Sequence, residues 1–564
     1  MAEVRSPANR PAGERPAEDR ATALGRALRD AEPRDARPLM EAVTRLAAEG
    51  LLVERAGVGT PATIRGVACD SRRVTPGAVF VAVPGARGDG HDHAAAAVDA
   101  GAAALVVERP LPSRHVPQVI VASSRRALAT IACWWYADPS HELAVVGVTG
   151  TDGKTSTSRL AVAALEATGT PTGMVSTAAL RIGGVDAPNP VHATTPEAPD
   201  LQRLLRAMVV AGDRVAVVET TSHGLALDRV SGVAYDAAIL TNLTHEHLEL
   251  HGTFEAYRAA KLRLFESLAA GPANPSKGPG GARGAAAWPR TAVVNADDPS
   301  APWFVDAARA ARARVITYGA ARDADLRAIA VDQTPAGLRA TVDGPAGRME
   351  LRLGLLGRFN VWNALAVLAF AQGIGLDLDA ALAGLATAPA VTGRMERLDR
   401  GQPFTVVVDY AHSPASLRAV LDQLDPIARA AGGGLIAVFG SAGERDVLKR
   451  PMMGGIAGER CRLVVVTDED PRGEDPESIL DEIADGAVAA GMRVGDDLYL
   501  VADRRAAIAA AFGRARPGDV VLLAGKGHEA SIIYADGPVP WDERRVAEEE
   551  LARLGHATVA PAGA

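Results

Sequence analysis

Gly150-Thr-Asp-Gly-Lys-Thr155 follows an apolar run and leads into a helix-prone one. Small residues at a strand-to-helix turn let backbone N–H groups converge on phosphate oxygens, and the helix N-terminus adds partial positive charge. Lys154 is placed to bridge the β and γ phosphates, and the Thr155 hydroxyl suits Mg²⁺. Gly150, Thr151, Asp152, Gly153, Lys154, Thr155 and Ser156 are therefore candidate ATP contacts. The spacing departs from the common phosphate loop, because Val148 stands five before Gly153 where glycine is expected. A tight turn that happens to contain Lys-Thr is the bland alternative. Strand, glycines, Lys-Thr and helix in succession argue against it.

Further along, Glu219 closes an apolar run, and Thr241-Asn-Leu-Thr-His-Glu-His247 closes another. Ligands in open α/β sheets gather at the carboxyl ends of strands, so Glu219 and His247 are placed to face the phosphate loop. A carboxylate and an imidazole there suit a second Mg²⁺ that offsets charge as a phosphoryl group moves. Lys261 lies in a helical stretch with Phe254, Leu264 and Phe265; by composition alone it reads as an exposed helix lysine. His245, His247 and His251 read as loop histidines, although three in seven residues weakens that reading.

The elements that must hold these groups alternate between strand-like and helical runs, the signature of α/β architecture with parallel sheets. Residues 1–37, rich in Ala, Arg, Pro, Glu and Asp, are expected to be a disordered tail. A small α/β N-terminal domain is expected over 38–140, with a helix at 39–48 and strand-like runs at 78–83 and 104–107. A central ATP-binding domain with a parallel sheet follows over 141–391, its strands at 143–148, 215–218, 237–240 and 292–294. Within it, 270–288 is Gly-, Pro- and Ala-rich and reads as a flexible insertion. Residues 392–564 carry strand-like runs at 405–408, 435–439, 463–466 and 520–523, a doubly wound, Rossmann-like pattern.

With 564 residues, three or four domains are expected. A net charge of −8 argues against a nucleic-acid partner. Cys69, Cys133 and Cys461 are odd in number and far apart, which fits neither a disulfide framework nor a zinc site. The N-terminus is mixed in charge, and no apolar run is long enough to span a bilayer, so the expected location is the cytoplasm.

In order along the chain, Gly150–Thr155, Ala193-Thr-Thr-Pro196, Glu219–Leu225, Asn242–His247, Tyr257–Lys261, Asn295-Ala-Asp-Asp-Pro299, Gly357–Asn363, Asp409-Tyr-Ala-His412 and Gly525-Lys-Gly-His-Glu529 resemble the motifs of the Mur ligases. These are ATP-dependent amide ligases of peptidoglycan precursor synthesis, built of three α/β domains. The resemblance is strongest to the MurE type, which adds a diamino acid to UDP-N-acetylmuramoyl-L-alanyl-D-glutamate. Asp70-Ser-Arg-Arg-Val74 and the run to Phe80 resemble its nucleotide-sugar domain; 439–451 and Glu469-Asp-Pro-Arg472 resemble its amino-acid pocket.

The resemblance implies roles that spacing does not supply. Lys261 matches a lysine that is carbamylated in the family, which converts a cation into an oxygen ligand beside Mg²⁺. Thr155, Glu219, His247 and Lys261 match the metal and catalytic positions together with Lys154. Cys69, Ser71, Thr194, Thr195, Thr221 and Arg229 match contacts to the UDP-muramoyl dipeptide. Asn295, Asp297, Asn360, Arg394 and Asp409 match nucleotide-facing positions, and Arg445, Asp470, Arg472, Gly525 and Glu529 match the diamino-acid pocket. The implied chemistry is phosphoryl transfer from ATP to a carboxylate, then attack of an amine on the acyl phosphate by a monomeric enzyme.

Departures bear on the amino acid. Asp470 stands where diaminopimelate-adding members carry Asn, and its charge favours a bare distal ammonium, as in lysine or ornithine. Arg472 favours a distal carboxylate, as in diaminopimelate. Diaminopimelate is the favoured reading, and Asp470 paired to Arg472 or Arg445 is the bland one. Leu227 replaces a frequent Gln, and Ser441 and Glu444 replace a usual Cys and Asp. A folylpolyglutamate synthase, a MurF-type ligase, or a non-catalytic phosphate-loop regulator are the competing readings.

Overall fold

Runs of Val, Ile and Ala too apolar to leave either face in water become the buried strands of three main sheets. The computed structural model describes residues 17–56, 62–85, 88–112, 116–189, 193–244, 248–269, 288–334 and 336–556. Two units are formed, residues 1–327 with 363–384 and residues 328–362 with 385–564.

In the first unit, β1 (Leu52–Ala56), β2 (Gly66–Ala68), β3 (Ala78–Val81), β4 (Ala104–Val107) and β5 (Gln118–Val121) lie in the order β1–β5–β4–β3–β2. Strands β2 to β5 are parallel, and β1 is an antiparallel edge. The helix Leu39–Ala48 occupies the expected span and buries Leu39, Ala42, Val43 and Leu46, the i, i+3, i+4, i+7 stripe.

The second sheet of this unit runs β9–β8–β7–β10–β6–β11–β12–β13. Its strands are β6 (Ala144–Thr149), β7 (Thr172–Val175), β8 (Ala179–Ile182), β9 (Val185–Pro188), β10 (Val215–Glu219), β11 (Ala237–Leu240), β12 (Thr291–Asn295) and β13 (Arg314–Gly319). From β7 through β13 all pairs are parallel, with β8 and β9 an antiparallel extension. Every residue of β6 is buried, as a central strand covered on both faces requires. Of the expected insertion, only Trp288 is among the described residues.

One expectation is corrected. Within the segment read as a disordered tail, α1 (Ala17–Asp30) is a helix. Leu24, Ala27, Leu28 and Ala31 form an apolar stripe that joins the core of the β6 sheet, with Leu201, Leu204, Leu205 and Met208. Composition hid a short amphipathic pattern that burial on a neighbouring helix makes stable.

In the second unit, β14 (Gly337–Gly344) and β15 (Gly347–Leu353) form a hairpin. Strands β16 (Glu396–Leu398), β17 (Thr405–Asp409), β18 (Leu435–Phe439), β19 (Leu463–Val466), β20 (Leu498–Leu500) and β21 (Val520–Ala524) lie in the order β16–β17–β21–β18–β19–β20. All pairs but β16–β17 are parallel, the doubly wound pattern expected. Arg504 and Glu543 are both buried beneath it, paired at 2.7 Å, and Arg504 also donates to the Ala524 carbonyl at 2.8 Å. No helix among the described residues is long and apolar enough to cross a membrane.

Candidate active site

Strand β6 delivers the phosphate loop, and glycines decide its shape. Gly150 has φ of 149°, and a Cβ there would overlap Thr241 Oγ1. Gly153, at φ of 81°, caps α2 (Lys154–Ala167), and a Cβ on it would overlap Asn363 Oδ1. Neighbouring groups brace the loop: the Asp152 N–H donates to Asn242 Oδ1 at 2.9 Å, and Thr151 Oγ1 lies 3.0 Å from the Tyr257 hydroxyl. Thr155 and Ser156 stand half-buried on the first turn of α2.

Two lysines converge on one carbonyl. Lys154 Nζ donates to Gly150 O at 3.0 Å and to Thr151 O at 2.6 Å, while Lys261 Nζ donates to Gly150 O at 2.7 Å. Lys261 is 1 % exposed, so the reading of it as an exposed helix lysine is overturned. It sits on α3 (Phe254–Glu266), whose Thr253 hydroxyl caps the helix by accepting from the Ala256 N–H. The helix comes close because residue 147 is glycine. A Cβ there would lie 2.7 Å from Leu264 Cδ1 and 2.8 Å from Tyr235 Cε1.

Glu219 ends β10, fully buried. Burial raises the pKa of its carboxyl, opposed by the Lys154 charge and by hydrogen bonds from Thr155 and Thr177. Thr177 donates its hydroxyl to Glu219 Oε2 at 3.2 Å and, in the alternative, to Thr194 Oγ1 at 2.8 Å. Thr195 Oγ1 donates to the Glu219 carbonyl at 2.9 Å and lies 3.0 Å from Thr221 Oγ1. Arg229 donates to the Thr195 carbonyl at 3.1 Å and pairs with Glu197 at 2.8 Å; its Nε is buried without a hydrogen-bond partner among the described residues. Glu219, Thr194, Thr195, Thr221 and Arg229 thus come together. Thr177, which links them, escaped the sequence reading, since its partners lie 17 and 42 residues away.

The other sequence candidates fall in several places. His247 lies outside the described residues. Asn295 and Asp297 follow β12: Asn295 Nδ2 donates to Thr241 O at 2.7 Å, and Asp297 accepts from the Ala320 and Ala321 N–H groups. Cys69 and Ser71 follow β2; burial pushes the Cys69 thiol up to about 12. A cavity of about 300 Å³ is lined there by Cys69, Asp70, Arg73, Trp135, Asp200 and Arg203 among others.

In the second unit, Asn360 Nδ2 donates to Leu356 O at 2.7 Å. Burial raises the Asp409 pKa, and its oxygens accept from the Met395 and Ala411 N–H groups at 2.7 and 2.8 Å. The Arg394 guanidinium lies 4.8 Å over the Tyr410 ring. Arg445 is exposed on the loop after β18. Gly525, at φ of 103°, lets the end of β21 approach Glu469, whose Cδ would be 3.3 Å from an added Cβ. Asp470 pairs with neither Arg472 nor Arg445; its partner is Lys526, at 2.8 Å.

The comparison with known proteins decides the family. A protein of Roseiflexus sp. (strain RS-1) called UDP-N-acetylmuramyl-tripeptide synthetase is 50 % identical over 497 residues, 87 % of this chain and 95 % of its own. The chain belongs to the Mur ligase family. It is accordingly an ATP-dependent ligase. The Mur ligase family catalytic domain matches residues 63–136, the Mur ligase middle domain 148–371, and the Mur ligase glutamate ligase domain 393–527. A Geobacillus thermodenitrificans UDP-N-acetylmuramoyl-L-alanyl-D-glutamate–2,6-diaminopimelate ligase is 41 % identical over 85 % of this chain and 93 % of its own. A solved structure of a ligase with that same name superposes with a TM-score of 0.64 at 29 % identity, over 88 % of this chain and 96 % of that one. The Mur ligase assignment sets aside the reading of a non-catalytic regulator.

Proposed function

We propose that this Mur ligase joins a diamino acid, meso-diaminopimelate, to UDP-N-acetylmuramoyl-L-alanyl-D-glutamate at the expense of ATP. The observation that carries the reading is Glu219: one buried carboxyl feels the Lys154 charge of the phosphate loop and accepts from the Thr177 N–H and hydroxyl, beside Thr194 and Thr195. Residues proposed for the nucleotide and residues proposed for the acceptor therefore share one carboxyl group.

In the reaction, Lys154 leaves the loop carbonyls it holds and turns to the β and γ phosphates. Thr194, Thr195, Thr221 and Arg229 orient the acceptor so that its D-glutamate carboxylate attacks the γ phosphorus, breaking the bond to the β,γ-bridging oxygen and releasing ADP. The amine then attacks the acyl carbon, and phosphate departs with one oxygen of the former carboxylate. Oriented donors in a water-poor site offset the developing charge.

Mg²⁺ fits the donor set, because the Thr155 hydroxyl and Glu219 carboxylate are hard oxygen ligands. When bound it would neutralise phosphate oxygens. Lys261 as an ammonium shares the Gly150 carbonyl with Lys154, a repulsive arrangement of like charges. Addition of CO₂ to the deprotonated Lys261 amine, with release of a proton, would remove that repulsion and supply an oxygen ligand. His247 is the remaining proposed ligand. Asn295, Asp297, Asn360, Arg394 and Asp409 are proposed nucleotide contacts, with Cys69 and Ser71 on the UDP side. Three domains divided near 140 and 391, a monomeric state and a cytoplasmic location complete the reading.

The names of the relatives favour diaminopimelate. The test is phosphate release with ATP, Mg²⁺ and the UDP-muramoyl dipeptide, adding diaminopimelate, lysine or ornithine in turn. Release is expected with diaminopimelate; release with lysine or ornithine alone would overturn that choice.

A further inference from the structure

Lys526 is fully buried on the turn after β21, where an ammonium must find compensating charge. It finds two carboxylates: Nζ donates to Asp470 Oδ1 at 2.8 Å and to Glu529 Oε2 at 2.6 Å. The Tyr410 hydroxyl donates to Glu529 Oε1 at 3.1 Å. Asp470 Oδ1 also accepts from the Ile533 N–H at 2.9 Å, on β22 (Ser531–Tyr534). The Ile533 carbonyl accepts in turn from the Arg472 N–H at 2.9 Å, which couples the Arg472 loop to that strand.

One ammonium therefore ties the loop after β19, the turn after β21 and strand β22 into a single frame. Arg472 sits in that frame at φ of 57°, a backbone conformation that an L-residue holds only when its surroundings fix it. Its guanidinium Nε is buried without a hydrogen-bond partner among the described residues, and so is Glu469 Oε2. The single charge of Lys526 is shared between Asp470 and Glu529, and Asp470 Oδ1 is occupied by Lys526 and by the Ile533 N–H. The groups left with unused hydrogen-bonding capacity are a guanidinium, which suits a carboxylate, and the Glu469 carboxyl, which suits an amine.

Resting on the ligase reading above, we propose that Asp470 is a positioning residue: paired with Lys526, it sets the Arg472 loop for an amino acid whose distal carbon bears a carboxylate, and does not itself contact that amino acid. The alternative is an Asp470 that reads a distal ammonium.

The two roles separate in a comparison of full-length wild type, Asp470→Asn and Lys526→Met, each assayed for phosphate release with diaminopimelate and with lysine. The amide of Asp470→Asn keeps an acceptor for the Ile533 N–H but loses the charge that holds Lys526. A positioning role raises the KM for diaminopimelate in both variants by roughly tenfold, leaves the KM for ATP unchanged, and does not improve kcat/KM for lysine. If Lys526→Met fails to fold, Asp470→Asn alone decides. An unchanged KM for diaminopimelate in Asp470→Asn overturns the proposal, as does a tenfold shift of the diaminopimelate-to-lysine ratio toward diaminopimelate, the mark of a direct reader. Wild type that prefers lysine overturns the proposal while leaving the ligase intact. Wild type inactive with every amino acid overturns the ligase reading itself.

Discussion

Replacing Gly147 by Ala tests whether helix α3 delivers Lys261 through close packing on β6. The added methyl would lie 2.7 Å from Leu264 Cδ1 and 2.8 Å from Tyr235 Cε1. Carbon atoms rest at about 3.5–4.0 Å, so the helix side must retreat by about 1 Å. Leu264 and Tyr235 are buried in the same core, and the Tyr235 hydroxyl is held 3.0 Å from Thr220 Oγ1, which leaves little slack. Overpacking of this size costs about 1–3 kcal/mol of stability. A shift of about 1 Å in Lys261, now 2.7 Å from Gly150 O, is expected to lower kcat by about 100-fold. Steady-state ADP formation measures the rate, and thermal unfolding measures the stability. Gly173→Ala is the control: its methyl would meet the Met208 side chain at 2.5 Å, in the same sheet but away from α3. It should lose stability and keep its kcat. Leu264→Ala in the Gly147→Ala chain should restore part of the rate by removing the closer contact. A Gly147→Ala enzyme with kcat within about twofold of wild type refutes the reasoning, and so does an equal loss in the control.

Three other outcomes are expected. Glu219→Gln removes the charge shared by the phosphate loop and the threonine cluster, and turnover should fall by about 100- to 1,000-fold; near-normal turnover would exclude Glu219 from the mechanism. Burial lifts the Glu469 carboxyl to about 7 from an ordinary 4.5, so the folded state holds a proton that the unfolded state has released. Stability should therefore fall as pH rises through that window, by roughly 3 kcal/mol, then level off above it. Denaturation of Glu469→Gln from pH 4.5 to 8 should show a correspondingly flatter profile, and parallel profiles would contradict the assignment. Deleting residues 1–32 strips Leu24, Leu28 and Ala31 from the core and breaks the 2.6 Å pair of Glu32 with Arg203. Losing that packing should destabilise the first unit by about 2–4 kcal/mol with kcat unchanged, read by hydrogen exchange at Leu201–Met208.

The parts legible in the sequence were those with a local signal. Strand β6, its glycine turn and the lysine after it occupy one short stretch, and the helix over Leu39–Ala48 shows its buried stripe directly. Long-range pairings left no such trace. Lys526 lies 56 residues from Asp470, so the sequence offered only Arg472 or Arg445 as neighbours for that carboxylate. A buried lysine between two glycines requires an acidic partner, but nothing local says which. Lys261 read as an exposed lysine because the helix pattern does not reveal how closely Gly147 admits it. The tail was misjudged for a related reason: Leu24, Ala27, Leu28 and Ala31 are weakly apolar until α1 meets the Leu201–Met208 face.

The central claim is that the acceptor carboxylate attacks ATP and is activated as an acyl phosphate. Its most direct test is a turnover with UDP-N-acetylmuramoyl-L-alanyl-D-glutamate labelled with ¹⁸O at both oxygens of the attacking D-glutamate carboxylate, unlabelled ATP and diaminopimelate, followed by mass analysis of the phosphate. The account predicts one ¹⁸O in each phosphate released, carried over from the carboxylate as the amide forms. Phosphate without label, alongside amide product, would contradict it.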